Sequence, residues 1–207
     1  MTAALLSDEK RDALQELVNI GMGAAGAALA KALGTFVELA VPAVDFTSRG
    51  RVAALLDAGT WANEDLEAVR QPFFGRFTGE SLMLLDAPAK AELADLLGYG
   101  QEPGSTEHHE ALLDLANVVI GACVNGIAEA LNEGVSFAPP TRLGGRSQAY
   151  AFLSREEAAL HQGLVVNVDF RLEARSFNSR VLVFLPEHSI ARINDALTRL
   201  LDGLAAS

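Results

Sequence analysis

An α+β fold, with helices packed on a mainly antiparallel sheet, is predicted by three observations on this 207-residue chain. Two long stretches, opening at Ser7 and near His108, carry apolar residues at helical spacing. Runs of β-branched and aromatic residues follow each of them in pairs separated by tight turn signals, and strands joined that way are antiparallel. Finally, landmarks recur at one offset. The windows beginning Asn19-Ile-Gly and Asn117-Val-Val align without a gap, and the same 98 positions separate Pro42 from Pro140 and Pro88 from Pro186. A tandem duplication explains three landmarks in register. The expected organisation is one domain over residues 1–207, built of two repeats at about 7–98 and 107–205.

In chain order, Ser7 followed by Asp8 and Glu9 reads as a helix N-cap with acids in the first turn. The helix runs to about Leu33 and stops at Gly34. Phe36–Val41 before Pro42 reads as a strand, and Val69–Phe77 and Ser81–Asp86 as two more, turning at Thr78-Gly79-Glu80. A short helix spans Pro88–Leu97, and residues 99–106 form a turn-rich linker. The second half repeats the plan: a helix from His108 to Asn132, a strand near Val135, and long strands at Leu164–Phe177 and Arg180–Leu185 turning at Asn178-Ser179. A last helix runs from Pro186 to about Leu201, leaving 49–66 and 141–163 as insertions without a clear period.

Composition narrows the partners. Sixteen Lys and Arg against 27 Asp and Glu leave a net charge of −11. Nucleic acid and anionic membranes both require clustered cations, so neither is an expected partner. One cysteine excludes a disulfide framework and a four-thiolate metal site. The amino-terminal residues lack a basic, then apolar, signal pattern, and the longest apolar stretch, Ile20–Ala30, is too short to span a bilayer. A soluble, cytoplasmic protein without membrane insertion is the expectation.

The first helix carries the most informative pattern. At about 100° per residue, Leu14, Leu17, Val18, Gly21, Ala25, Ala28 and Ala32 form an apolar stripe. Asp12, Glu16 and Asn19 fall opposite, continued by the small residues Gly23, Gly26, Ala27 and Ala30. A polar helix face is ordinarily just solvated. Here, however, Asn is a mediocre helix former with no local reason to sit in mid-helix. The second helix also repeats the row as Glu110, Asp114 and Asn117, with Gly121 answering Gly23. Packing does not require a duplicated exposed Asn, which favours a functional role.

The spacing Asp12-x3-Glu16-x2-Asn19-x22-Pro42 matches the motif of the CheC/CheX/FliY family of chemotaxis phosphatases, which the chain resembles over essentially its whole length. With two pseudo-repeated helices it most resembles CheC. The resemblance implies a hydrolase of two-component signalling, acting on the aspartyl phosphate of a CheY-like response regulator. It also implies roles: Asn19 would orient the attacking water, and Glu16 would pair with the regulator's active-site lysine. Asp12 and Pro42 support the motif. No cofactor or metal of its own is implied, because the regulator carries the Mg²⁺. In the second row Asn117 and Pro140 are in place, but Glu110 stands where Asp or Ser is usual and Asp114 replaces the Glu. Asp is shorter by one methylene, about 1.5 Å of reach, and a 1 Å misplacement can cost about a hundredfold. The first row is therefore expected to be the stronger site. A second reading of the same resemblance is a non-enzymatic binding module, either an adaptor for the deamidase CheD or a flagellar-switch-like protein.

Other signals are weaker. Gly21-x-Gly23-x-x-Gly26 fits a dinucleotide fingerprint, but helical sequence precedes it where a strand is required. His108 and His109 are adjacent and so diverge, His161 and His188 are isolated, and Cys123 sits in an apolar run that suits a buried thiol.

Overall fold

The computed structural model describes residues 7–41, 44–48, 54, 65–75, 77–96, 106–130, 132–154, 162–172 and 175–205. Helix α1, Asp8–Leu33, begins where Ser7 Oγ accepts from the Lys10 amide and ends at Gly34, whose φ of 65° suits glycine. Strands β1 (Val37–Ala40) and β2 (Val44–Ser48) follow, then β3 (Glu67–Gly75) and β4 (Gly79–Leu85). Helix α2, Ala87–Leu96, is capped by Asp86, whose Oδ1 accepts from the Ala89 amide at 2.9 Å. Helix α3 is Thr106–Ala130, β5 Val135–Phe137, β6 Thr141–Gly144, α4 Arg146–Leu153, β7 Gln162–Leu172, β8 Arg175–Leu185 and α5 Glu187–Ala205.

All described pairings are antiparallel, in the order β1-β7-β8-β4-β3-β5, with β2 also on β7 and β6 also on β3. The predicted α+β class therefore holds. The short strands cross over: β1 lies on β7, from the other half of the chain, and β5 lies on β3. At the centre, β4 and β8 pair with Met83 opposite Val181, two positions that are themselves 98 apart.

Alternation along the strands sorts the apolar residues onto two faces. Val69, Phe73, Met83, Leu85, Val181 and Val183 face α1, α3 and α5 in the larger core. Leu82, Leu84, Leu182 and Phe184 face the other way, onto Phe152 and Leu153 of α4. That helix and β6 fill part of the stretch left unassigned at 141–163, while most of 49–66 lies outside the described residues. Strand β2 has no counterpart among the expected strands. Helix α3 is apolar enough over His109–Glu129 to cross a membrane by composition. Its Ala116, Ile120, Cys123, Val124 and Ile127 are instead buried against the sheet and the other helices.

Three local expectations are corrected. Asn178 and Ser179 do not turn; they pair with Asp169 and Val168 inside β8, and the chain reverses between Leu172 and Arg175. An unbroken ladder outweighs the weak turn preference of Asn-Ser. The β3–β4 reversal likewise falls before Gly79, which is already paired with Phe73. The buried stripe of α1 is Leu14, Val18, Met22, Ala25 and Leu29, rotated from the expected one, so that Ala28 is exposed and Gly26 is buried.

Candidate functional site

Glycines set how α1 meets its neighbours. A Cβ on Gly21 would lie 2.6 Å from the Ala122 carbonyl oxygen, and one on Gly126 would lie 2.8 Å from that of Leu17. Backbones can come this close only without side chains. As α1 advances from Leu17 to Gly21, its contacts on α3 retreat from Gly126 to Ala122, so the two helices run antiparallel. Gly26 does the same for β1, since its Cβ would sit 3.3 Å from the Val37 carbonyl oxygen. The Gly21-x-Gly23-x-x-Gly26 signature is thus helix packing at two of its three positions; Gly23 faces open space.

Because β1 lies along α1, the residue just past its end reaches the polar row. The Val41 amide donates to Asn19 Oδ1 at 2.8 Å, and Asn19 Nδ2 donates to the Val41 carbonyl at 3.3 Å. Main-chain N–H only donates and C=O only accepts, which fixes the orientation of the Asn19 amide. Asn19 is consequently half-buried rather than exposed. One N–H and one lone pair of the amide remain uncommitted. Gln15, one turn earlier, donates to the same Val41 carbonyl at 3.2 Å. Asp12 and Glu16 are exposed, and no described residue pairs with either. Pro42 lies outside the described residues, but a proline there restricts Val41 to extended conformations.

The second row differs. Glu110, Asp114 and Asn117 are all exposed on α3. Asn117 Oδ1 accepts from Gln71 Nε2 at 2.6 Å, and that same nitrogen donates to the Ala138 carbonyl at 3.1 Å. Pro140 is half-buried just beyond. The antiparallel crossing puts the two rows at opposite ends of the helix pair. Between them runs a groove of about 430 Å³ lined by Ile20, Ala24, Asn117, Gly121, Asn125 and Phe137, among others. Ile20, beside Asn19, is 62% exposed.

Gln15, Ile20 and Gln71 escaped sequence reasoning. For Gln71 a signal existed: it holds an inward position of β3, between Val69 and Phe73, where a polar residue needs an explanation. Cys123 is fully buried, and burial pushes its thiol up to about 12. Among the described residues no three His, Cys, Asp or Glu side chains gather as a metal site would require.

Fold and rows together define a class: a helix pair on an antiparallel sheet, each helix showing an acid–acid–amide row whose amide is held from the sheet side. Residues 9–45, which carry the first row and β1, match the model of the CheC-like family. The flagellar motor switch phosphatase FliY of Bacillus subtilis is 25% identical over 140 residues, 65% of this chain and 35% of that protein. The chain therefore spans about a third of the length of that relative. Among solved structures, FliY of Thermotoga maritima superposes with a TM-score of 0.69 at 18% identity, covering 94% of this chain and 98% of that one. The FliM middle domain of H. pylori gives 0.65 at 13% identity, covering 92% and 99%. The resemblance to the CheC/CheX/FliY family carried by the motif is borne out.

Proposed function

We propose that this protein hydrolyses the aspartyl phosphate of a CheY-like response regulator in the cytoplasm, with Asn19 orienting the attacking water. The observation that carries this reading is the Asn19 amide, locked by Val41 with one N–H and one lone pair left over. An acyl phosphate is already activated, so the remaining task is to hold water in line with phosphorus, as a glutamine does in GTPases. An amide does this without titrating or forming a covalent bond. A hundredfold acceleration needs only about 2.7 kcal/mol, within the reach of orientation alone.

Glu16, exposed one turn from Asn19, is the group for the regulator's lysine, and Asp12 extends the acidic docking edge. A solvent-exposed pair contributes about 0–1 kcal/mol, so Glu16 acts on register and encounter more than on affinity. Mg²⁺ is supplied by the regulator. The second row, Asp114 and Asn117 with Glu110 and Pro140 in support, is the weaker site because Asp114 reaches less far. The FliY name, a flagellar motor switch phosphatase, supports phosphatase chemistry, and the fold is shared with the FliM middle domain. A binding-only role, whether in a switch or toward a deamidase such as CheD, is the competing reading.

The deciding experiment follows the decay of the phosphorylated regulator with wild type, Asn19→Ala, Asn117→Ala and the double variant. Wild type should speed decay, Asn19→Ala should remove about nine-tenths of the acceleration, and the double variant should remove it all. Unchanged decay with wild-type protein would sink the phosphatase reading.

A further inference from the structure

The two rows hold their amides by different means. In the first, a main-chain N–H and C=O of Val41 grip Asn19. The position 98 residues beyond Val41 is Pro139, which has no N–H to donate. A copy of the first arrangement is therefore chemically impossible in the second row. The donor comes instead from Gln71 of β3. Its Nε2 bridges Asn117 Oδ1 at 2.6 Å and the Ala138 carbonyl at 3.1 Å, and its side chain is fully buried.

That bridge also fixes which way the Asn117 amide points. A carbonyl can only accept, so the end of Gln71 facing Ala138 must be its NH₂. The same NH₂ meets Asn117, which must then present Oδ1 inward and Nδ2 outward. The Gln71 Oε1 is left buried without a hydrogen-bond partner, a cost that a purely structural choice at this inward strand position would avoid with an apolar residue. Asn117 stays exposed on the rim of the groove with both Nδ2 hydrogens and one lone pair uncommitted.

We propose that Gln71 is the positioning residue of the second row, holding the Asn117 amide toward solvent in place of the main-chain grip that Pro139 removes. The second row thereby retains a working, though slower, share of hydrolysis. This rests on the phosphatase reading for its kinetic arm only.

Gln71→Met keeps length and packing while deleting the donor. In an Asn19→Ala background, where hydrolysis comes from the second row, it should lower kcat roughly tenfold or more with little change in KM. Gln71→Met and Asn117→Ala should also be non-additive, the double variant falling no further than Asn117→Ala alone. Losses that add, or a KM-only effect, would overturn the proposal. A second arm needs no activity. In ¹⁵N spectra, the buried Gln71 NH₂ should exchange with solvent at least tenfold faster in Asn117→Ala, which removes its acceptor, than in the wild-type protein. Equal exchange would refute the grip. If wild type proves inactive toward the regulator, the phosphatase reading falls, and the exchange result alone then decides whether Gln71 holds Asn117.

Discussion

Asn19 and Cys123 show how a single side chain is set by what surrounds it. Replacing Asn19 by Ala leaves the Val41 amide and carbonyl without that partner, so the variant should lose about 1–3 kcal/mol of stability in addition to the proposed hydrolysis. Denaturant unfolding measured beside the decay assay separates the two effects. Asn19→Asp keeps the acceptor for the Val41 N–H but turns a second oxygen toward the Val41 carbonyl, and should be no better. Cys123 supplies a pH dependence. Its folded-state thiol is raised by burial from 9.0 to about 12, so between those values the unfolded chain has lost the proton and the folded chain keeps it. Stability from this group is thus full below pH 9.0 and falls as pH rises, by about 1.4 kcal/mol per unit. The stability difference between wild type and Cys123→Ala should shrink across that window; a flat difference would contradict the assignment.

Among the elements, the α1–α3 contact has the sharpest tolerance. Gly21→Ala and Gly126→Ala each drive a methyl toward a facing backbone carbonyl, at 2.6 and 2.8 Å. Each should destabilise by about 1–3 kcal/mol. Gly23→Ala, two residues from Gly21, meets nothing within 4 Å and should stabilise by up to about 1 kcal/mol through helix propensity. Melting temperatures of the three variants should therefore split in sign, and equal losses would rule out close backbone packing. The buried Glu67 on β3 has a comparable role between elements. It takes two hydrogen bonds from Arg142 of β6, at 2.6 and 2.9 Å, with Lys90 of α2 at 4.0 Å. The Arg142 guanidinium is pushed above its ordinary value, chiefly by that hydrogen bond to Glu67. Arg142→Ala would leave a nearly buried carboxylate with only a distant lysine, at a cost of about 3–5 kcal/mol.

For the molecule as a whole, the strand crossover decides cooperativity. Strand β1 finds its partner on β7 and β5 finds its partner on β3, while β4 and β8 join at the centre. Neither half closes its own sheet. The full chain should unfold in one transition, with calorimetric and van't Hoff enthalpies equal. A fragment of residues 1–104 should not fold as a monomer. Two separated transitions, or a stably folded monomeric half, would show the halves to be independent.

Much of this was legible in the chain itself, because it depends on local chemistry. Helix limits follow from Ser7 and Gly34, the antiparallel class from paired strand runs with short turns, and the acid–acid–amide rows from spacing on a helix. The offset of 98 exposes the two matching windows without any structure. What tertiary structure alone decided are the contacts between segments far apart in sequence. Which face of α1 is buried depended on where β1 and α3 came to rest, so the stripe turned and Gly26 went inside. The Asn178-Ser179 turn signal lost to a ladder formed with a distant strand. Above all, the grips on the two amides, Val41 on Asn19 and Gln71 on Asn117, join residues 22 and 46 positions apart. Residue type announces that an asparagine can hold a water; only the folded chain supplies the partner that fixes its direction.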